Sequence, residues 1–596
     1  MNNLTKASLL IFAVAAIVYS NSLCGEFAWD DDQFVVKNPH IRTLADPLRF
    51  FYDPSTVALG DLSKDVYRPL VPLSYAVDFF FWRLNAFGYH LTNLIFHALN
   101  GVLVLALAYL IVRDAGLALF AGLFFVCHPV QTEAVSWISG RSSVLFLFFY
   151  LWSIILYVRY RERKSSSSLV LSILCAGLSF FSKEMAVTLP FMLMVYDAHF
   201  MPQENIGKKV AKYLPYAAFV LIFLAARTVA LGSVKQYGGW GGVYPTGLTM
   251  STVVVDYLAL LIAPVRLCAN YFTPIVSTIG HTNVIVSVAI LALIIGGMPF
   301  LFKRDKILSF ALCWFFVTLL PVLNFIPLKA LKAERFLYLP SIGYCLALAV
   351  IIDRLRQGRL FRASKVVVIL ISASIVTVYA LRTVQRNEDW RMNLTITETT
   401  LAQDPLNPWA ISSLGTYYAN AGDFDAAAKE YRKALLLYRD FDFARASLGF
   451  CYLKLGKFDE SIAQFREALR LKPGSPTALN YLGVAYANLK RYDEALLALE
   501  QAVKCAPNST EPYLNLGRVY EEKGQMIKAL AQYYIVLLQT KDAATVVALH
   551  IRIGDVYLKM GIQERAKGHY RLALSDVSCP EPVRASILEK LGSFSR

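Results

Sequence analysis

Leu414-Gly-Thr-Tyr-Tyr418, Leu448-Gly-Phe-Cys-Tyr452, Leu482-Gly-Val-Ala-Tyr486 and Leu516-Gly-Arg-Val-Tyr520 write one pattern four times, with the glycines 34 residues apart. A fifth copy, Ile553-Gly-Asp-Val-Tyr557, falls three residues late, which predicts a longer connection ahead of it. Ala427, Ala495 and Ala529 follow their glycines by twelve residues, with Ser461 in the second copy, and Ala434, Ala468 and Ala502 by nineteen. Small residues at fixed offsets let two antiparallel helices approach closely. Pro473 and Pro507 then stop the second helix of a unit, because proline cannot continue the hydrogen-bond ladder.

These offsets resemble the tetratricopeptide repeat. The array is expected over 405–577, with a capping helix at 581–594. Stacked repeats present an extended concave surface, suited to a peptide or protein; a spacer or oligomerisation element is the plainer reading.

The preceding 390 residues have another character. The 596-residue chain is 56% apolar and only 17% charged, with a mean hydropathy of +0.46. Soluble domains carry about 25% charged residues, so the deficit marks membrane spans. The formal charge of +16 fits cytoplasmic loops rich in Lys and Arg, and nucleic acid is not expected as a partner. The nine cysteines form no CxxC pair and the eight histidines no HExxH. A disulfide framework, a zinc site and a zinc protease are therefore unsupported.

Eleven spans are expected, at about 7–23, 91–112, 116–134, 143–159, 169–182, 185–199, 213–232, 283–302, 307–327, 336–353 and 365–382. The first is read as uncleaved. Basic loops at Arg159–Lys164, at Lys208, Lys209 and Lys212, at Lys303–Lys306 and at Arg354–Lys365 share one side if the N-terminus is cytoplasmic. That requires 251–268 not to cross, in keeping with its Asp256, Pro264 and Arg266. The array then lies on the external face with the first loop, residues 24–90. The expected architecture is all-α: a polytopic bundle over 1–390, a linker at 391–404 and the repeat domain over 405–596.

Polar residues stand out against this apolar background. Asp30, Asp31 and Asp32 directly follow the first span. They form a solvated loop start or, functionally, a general base or metal site at the membrane face. His90, Asn93, His97 and Asn100 make one polar stripe on the second span; such a stripe faces the bundle interior and serves interhelical hydrogen bonding, with ligand binding the lesser reading. His128, Glu133 and Arg141 mark a further external loop, where Glu133 and Arg141 either serve chemistry or pair with each other. Lys183 and Glu184 neutralise each other in the plain reading. Arg335, after Glu334, is either an interfacial anchor or a bidentate ligand for a lipid phosphate.

In chain order, Phe27-x-Trp-Asp30-Asp31 with Asn38-Pro39, Tyr67-Arg68-Pro-Leu70, Tyr89-His90-x-x-Asn93, His128-Pro-x-x-Thr-Glu133 with Gly140-Arg141, Ser182-Lys183-Glu184, Tyr196-Asp197 and Glu334-Arg335-x-x-Tyr338-Leu-Pro-Ser341 resemble the transmembrane and tetratricopeptide-repeat O-mannosyltransferases and their bacterial relatives. The resemblance implies a C-type glycosyltransferase fold, a polyprenyl-phosphate sugar donor (mannose favoured) and a protein acceptor outside the cytoplasm, bound by the repeats. It maps the catalytic acidic pair onto Asp30 and Asp31, and donor-phosphate binding onto Arg335 and Arg141. Asp32, Arg68, His90, His128, Glu133, Lys183, Glu184 and Glu334 support the site. A divalent cation is an open option. The expected location is a bacterial inner membrane with a periplasmic array, or the endoplasmic reticulum in a eukaryote. The rival class is a membrane-anchored repeat scaffold without enzymatic activity.

Overall fold

The computed structural model describes the chain except for residues 1–2, 59–65, 202–205, 232–241, 327, 329, 356–363, 541, 577–578 and 594–596, together with the side chains of 206–210 and 593. The expected basic loop Arg354–Lys365 thus lies outside the described residues over 356–363, and Lys208, Lys209 and Lys212, expected in a loop, fall in the helix Ile206–Leu231. Helices dominate, and no strand occurs among the described residues. The chain divides into two compact units, Met1–Pro405 and Leu406–Arg596.

Among the described residues of the first unit, six helices are long and apolar enough to cross a membrane: Ala86–Val112, Ile138–Arg163, Ala211–Leu231, Val243–Ile262, Thr282–Arg304 and Lys365–Asp389. A seventh candidate is the pair Ala115–Cys127 and Pro129–Ser136, bent by 51°. Asn3–Val18, Ser166–Phe180 and Lys306–Val322 are apolar but shorter. Length and composition therefore do not reproduce eleven spans. The bend follows from His128-Pro129, since the residue before a proline is pushed out of the helical region; His128 has φ −68° and ψ 125°.

Val243–Ile262 was not expected to cross, although it is long enough to do so. It is tied to neighbouring segments along its length. Near its start, the Thr249 hydroxyl oxygen accepts from Val276 N–H (2.9 Å). Near its end, the Leu261 carbonyl accepts from Tyr379 OH (3.3 Å) and lies 2.9 Å from His128 Nε2. Between them, Asp256 binds Lys332 at 2.7 Å. Val276 and Lys332 lie in loops, His128 at the break before Pro129, and Tyr379 within Lys365–Asp389.

The polar stripe faces inward. Asn93 Nδ2 donates to the Trp137 carbonyl (3.0 Å) and Asn100 Nδ2 to that of Val144 (2.9 Å). His97 Nδ1 is 2.8 Å from the Tyr338 hydroxyl. Each bond ties Ala86–Val112 to a neighbouring segment, so the stripe fixes the bundle.

The second unit is a stack of helix pairs: Pro408–Asn420 with Phe424–Leu437, Asp442–Lys454 with Phe458–Leu471, Pro476–Asn488 with Tyr492–Cys505, Thr510–Glu522 with Met526–Gln539, and Ala543–Lys559 with Gln563–Ser575. Glu581–Ser593 follows as the terminal helix. The three-residue delay of the fifth copy does not come from a longer connection. Ala543–Lys559 has 17 residues where the earlier first helices have 13, so the insertion lengthens the helix by about one turn. The motif glycines face a bulky side chain of the paired helix: Tyr431, Phe465, Leu499, Tyr533 or Tyr570. A Cβ at Gly483 would come within 2.5 Å of Leu499 Cγ. Gly483→Leu is therefore expected to destabilise the fragment 406–596 by about 1–3 kcal/mol, the overpacking range. Urea unfolding checks this, and an unchanged midpoint refutes it.

The turns within pairs need a left-handed residue. Gly422, Gly456, Gly524 and Gly561 supply it, and Lys490 takes the same conformation in the third pair at φ 60°.

Candidate active site at one end of the bundle

The first helix, Asn3–Val18, gives way to a short turn, Ser20–Cys24, and the chain then crosses toward the end of the last long helix. Glu26 N–H donates to the Arg391 carbonyl (2.8 Å). Trp29 N–H donates to Asn393 Oδ1 (2.8 Å), with Trp29 in the left-handed region at φ 52°. These bonds fix the entry to the acidic run.

The three aspartates then take different surroundings. Asp31 is fully buried. Its Oδ2 accepts from Ala28 N–H (2.9 Å), and its Oδ1 from Ser139 N–H (2.8 Å) and from the Ser139 hydroxyl. Burial pushes its carboxyl up to about 7; the Ser139 and Ala28 hydrogen bonds oppose that rise and neighbouring Asp30 adds to it. Asp30 is half-buried. Asp32 pairs with Lys37 at 2.6 Å on the surface, where an exposed ion pair contributes little, about 0–1 kcal/mol. Among the described residues no group of three or more His, Cys, Asp or Glu is placed to hold a metal ion. With Asp31 committed to Ser139 and Ala28, and Asp32 to Lys37, the acidic run does not fit a metal site.

Trp137 joins this loop to the rest of the site. Its ring lies 5.9 Å from that of Trp29 and stacks at 6.0 Å on Trp390, which meets Trp29 at 5.3 Å. Its Nε1–H donates to the Ala28 carbonyl (3.2 Å). On the other side, the Arg335 guanidinium sits 5.7 Å from the Trp137 ring. Arg335 N–H donates to Glu133 Oε2 (2.7 Å), and its side chain pairs with Glu133 Oε1. Glu133 is fully buried, while Arg335 keeps 26% of its side chain accessible.

Glu334 turns the other way. It accepts from Tyr271 OH (2.9 Å) and pairs with Arg386 (3.3 Å), which also holds Asp389 (2.6 Å). Burial raises the Glu334 carboxyl to about 7, against the pull of Arg386 and with a further push from Glu133.

The expected Lys183–Glu184 pair is not formed side chain to side chain. Arg68 takes Glu184 with two bonds, at 2.9 and 2.5 Å, and the adjacent Arg68 charge holds that carboxyl down at about 2. Lys183 is buried and donates to Ser143 Oγ at 2.8 Å. Burial first, then the charge of Arg68, lowers its ammonium to about 7; Glu184, Arg335 and Glu133 are its other charged neighbours. Arg68, Lys183 and Arg335 thus face two carboxylates, Glu133 and Glu184, a local surplus of one positive charge.

Arg141 does not pair with Glu133. It is fully buried, bonded to Asp78 (2.6 Å), the Tyr89 carbonyl (2.9 Å), Ser74 (3.2 Å) and Asn93 Oδ1. Its charge is spent inside the bundle on Asp78, a lone acid in the aromatic helix Leu70–Trp82. His128 is also structural, its Nδ1 accepting from Val130 N–H (3.2 Å) and its Nε2 facing the Leu261 carbonyl. His90 packs so closely under Gly25 that a Cβ there would lie 2.9 Å from Nε2. Ser139, Trp137, Trp390, Arg386 and Asp78 were not singled out from the sequence. Asp78 and Arg386 carried a signal, since an ionisable residue in an apolar helix must find a partner.

The fold and site define a membrane helical bundle carrying a repeat array, with acidic and basic groups gathered at one end of the bundle. Tetratricopeptide-repeat family profiles match residues 410–441, 452–510 and 498–531. Protein O-mannosyl-transferase TMTC3 of Mus musculus is 24% identical over 474 residues, covering 72% of this chain and 51% of the relative. Protein O-mannosyl-transferase F38B6.6 of Caenorhabditis elegans is 26% identical over 452 residues, covering 72% and 62%. The chain is a distant relative of the protein O-mannosyl-transferases, and it spans only about half to three-fifths of the length of these relatives. Among solved structures, the crystal structure of MamA is 25% identical over 27% of this chain and 93% of its own, with a TM-score of 0.25.

Proposed function

We infer that this chain is an inverting membrane glycosyltransferase, moving mannose from a polyprenyl phosphate to hydroxyl groups of an extracytoplasmic protein. The observation that carries the reading is the Trp137 junction, which sets the Asp30–Asp31 loop beside Arg335 and Glu133. The names of the relatives support the sugar and the acceptor class.

Asp30 is the base, because it keeps access to solvent while Asp31 is sealed. It takes the proton of the acceptor hydroxyl as that oxygen attacks the anomeric carbon. The bond from the anomeric carbon to the phosphate oxygen breaks on the opposite face, and its electron pair leaves with the phosphate. Arg335 and Lys183 stabilise that charge as fixed cations. A phosphate needs no proton to depart. Asp31 is a positioning residue: its carboxylate collects Ala28 N–H and Ser139 N–H and so holds the loop. The repeats bind the acceptor protein.

Incubating membranes with labelled polyprenyl-phosphate mannose and candidate acceptor proteins, then weighing the intact acceptors, tests the reading. An added hexose mass supports it. No transfer from any polyprenyl-phosphate sugar leaves the scaffold as the better account.

The role of Asp31 gives a signed pH effect. A group that must be ionised produces a rising limb in kcat/KM through its pKa, here near 7. The Ser139 hydroxyl lowers that pKa, so Ser139→Ala is expected to move the limb to higher pH. A shift to lower pH, or none, removes Asp31 from the mechanism.

The eleven-span topology is part of the same proposal, with the acidic loop and the repeats outside. Lys523→Cys, in a background lacking the exposed Cys24 and Cys505, is expected to react with an impermeant thiol reagent on intact cells. Reaction only after permeabilisation places the repeats inside and separates them from the acidic loop.

A further inference from the structure

Beside this site, within the first unit, lies a cavity of ~540 Å³ lined by the end of Val243–Ile262, the segment after it and residues 403–404. The volume falls in the range of ligand sites, about 300–1,000 Å³. Its charged lining is balanced: Asp256 and Asp404 against Arg266 and Lys332. Lys332 binds Asp256 and its ammonium sits 4.5 Å from the Tyr271 ring centroid. Tyr271 and Phe272 supply an aromatic wall. The Tyr271 hydroxyl donates to Glu334, the residue before Arg335, so the wall of the cavity is hydrogen-bonded to the wall of the site.

We propose that this cavity holds an extended segment of the acceptor polypeptide and delivers its hydroxyl to the Asp30 side of the site. The inference rests on the transferase reading above. Charge decides between the two substrates. A lipid phosphate is an anion and is drawn to the surplus cation among Arg68, Lys183 and Arg335, whereas the cavity is formally neutral, with Lys332 and Asp256 paired to each other. That pattern suits a polypeptide carrying mixed side chains. The run 271–278 flanks the cavity without regular secondary structure.

The test uses the full chain in lipid nanodiscs, with Phe272→p-benzoylphenylalanine and a biotinylated Ser/Thr-rich peptide bearing acidic flanks. Irradiation is expected to join the two, with competition by excess unlabelled peptide and none by a short-chain polyprenyl phosphate. The exposed position Val265 gives a second site for the photoreactive residue should the first variant misfold. Arg266→Glu, added to either, is expected to lower capture about tenfold. Competition by the polyprenyl phosphate alone overturns the assignment in favour of a donor site, and absence of capture at both positions overturns it outright. Capture needs no sugar transfer, so the two readings fail separately. Capture without transfer leaves the cavity and removes the enzyme; transfer without capture does the reverse.

Discussion

Asp30→Asn is expected to lower sugar transfer at least about 100-fold, the scale of a lost general base. Asparagine keeps the shape of aspartate and its capacity to accept one hydrogen bond, but it cannot take the acceptor proton. The neighbouring residues make the comparison sharp. Asp31→Asn also reduces transfer, by a different route: its amide group would face either Ala28 N–H or Ser139 N–H, and two donors then oppose each other. A thermal shift in the folded protein accompanies that loss. Asp32→Asn removes only an exposed pair with Lys37, worth about 0–1 kcal/mol, and transfer stays near wild type. Measured by intact mass of the acceptor, near-normal transfer in Asp30→Asn makes this loop structural and ends the assignment.

The difference among three adjacent aspartates was not legible in the chain. Asp30, Asp31 and Asp32 are the same residue type in sequence, and what separates them comes from afar: Ser139 seals Asp31, and Asn393 fixes Trp29. The repeats were legible because their information is local. A glycine that must face the ring of its own paired helix repeats at a fixed interval, and the pairs observed at Gly415–Tyr431 and Gly449–Phe465 need only that interval. The inward polar stripe was legible for the same reason, since helical periodicity alone puts Asn93, His97 and Asn100 on one face. Its bonding partners were not, nor was the fate of Arg141. Motif order placed Arg141 in an external loop, and burial against Asp78 placed it in the bundle. Charges in an apolar bundle are assigned by who reaches them first, and that depends on packing between segments far apart in sequence. Val243–Ile262 shows the opposite difficulty. Length and hydropathy pass it as a span, although it carries Asp256, which pairs with Lys332.

Lys183→Met is expected to lower kcat about 100-fold, the scale of removing one fixed electrostatic group from a charged transition state. Methionine fills the same volume without the ammonium, so folding is retained or improved, because a buried cation near Arg68 carries a desolvation cost. Loss of activity with retained stability already argues against a packing role. The pH profile argues further. Burial and Arg68 hold the ammonium near 7, and the phosphate needs it protonated. In the free enzyme, activity therefore falls as pH rises through about 7, giving kcat/KM a descending limb. A bound phosphate supplies the opposite charge that raises this pKa, so the limb moves to higher pH in kcat, which reports the enzyme–substrate complex. Lys183→Arg keeps its charge over this whole range, and in that variant the limb disappears from kcat/KM even if the rate is reduced by imperfect fit. A limb that stays in place in Lys183→Arg belongs to another group. The surplus cation among Arg68, Lys183 and Arg335 would then have no part in holding the donor, and the phosphate would have to be sought on the accessible quarter of Arg335 alone.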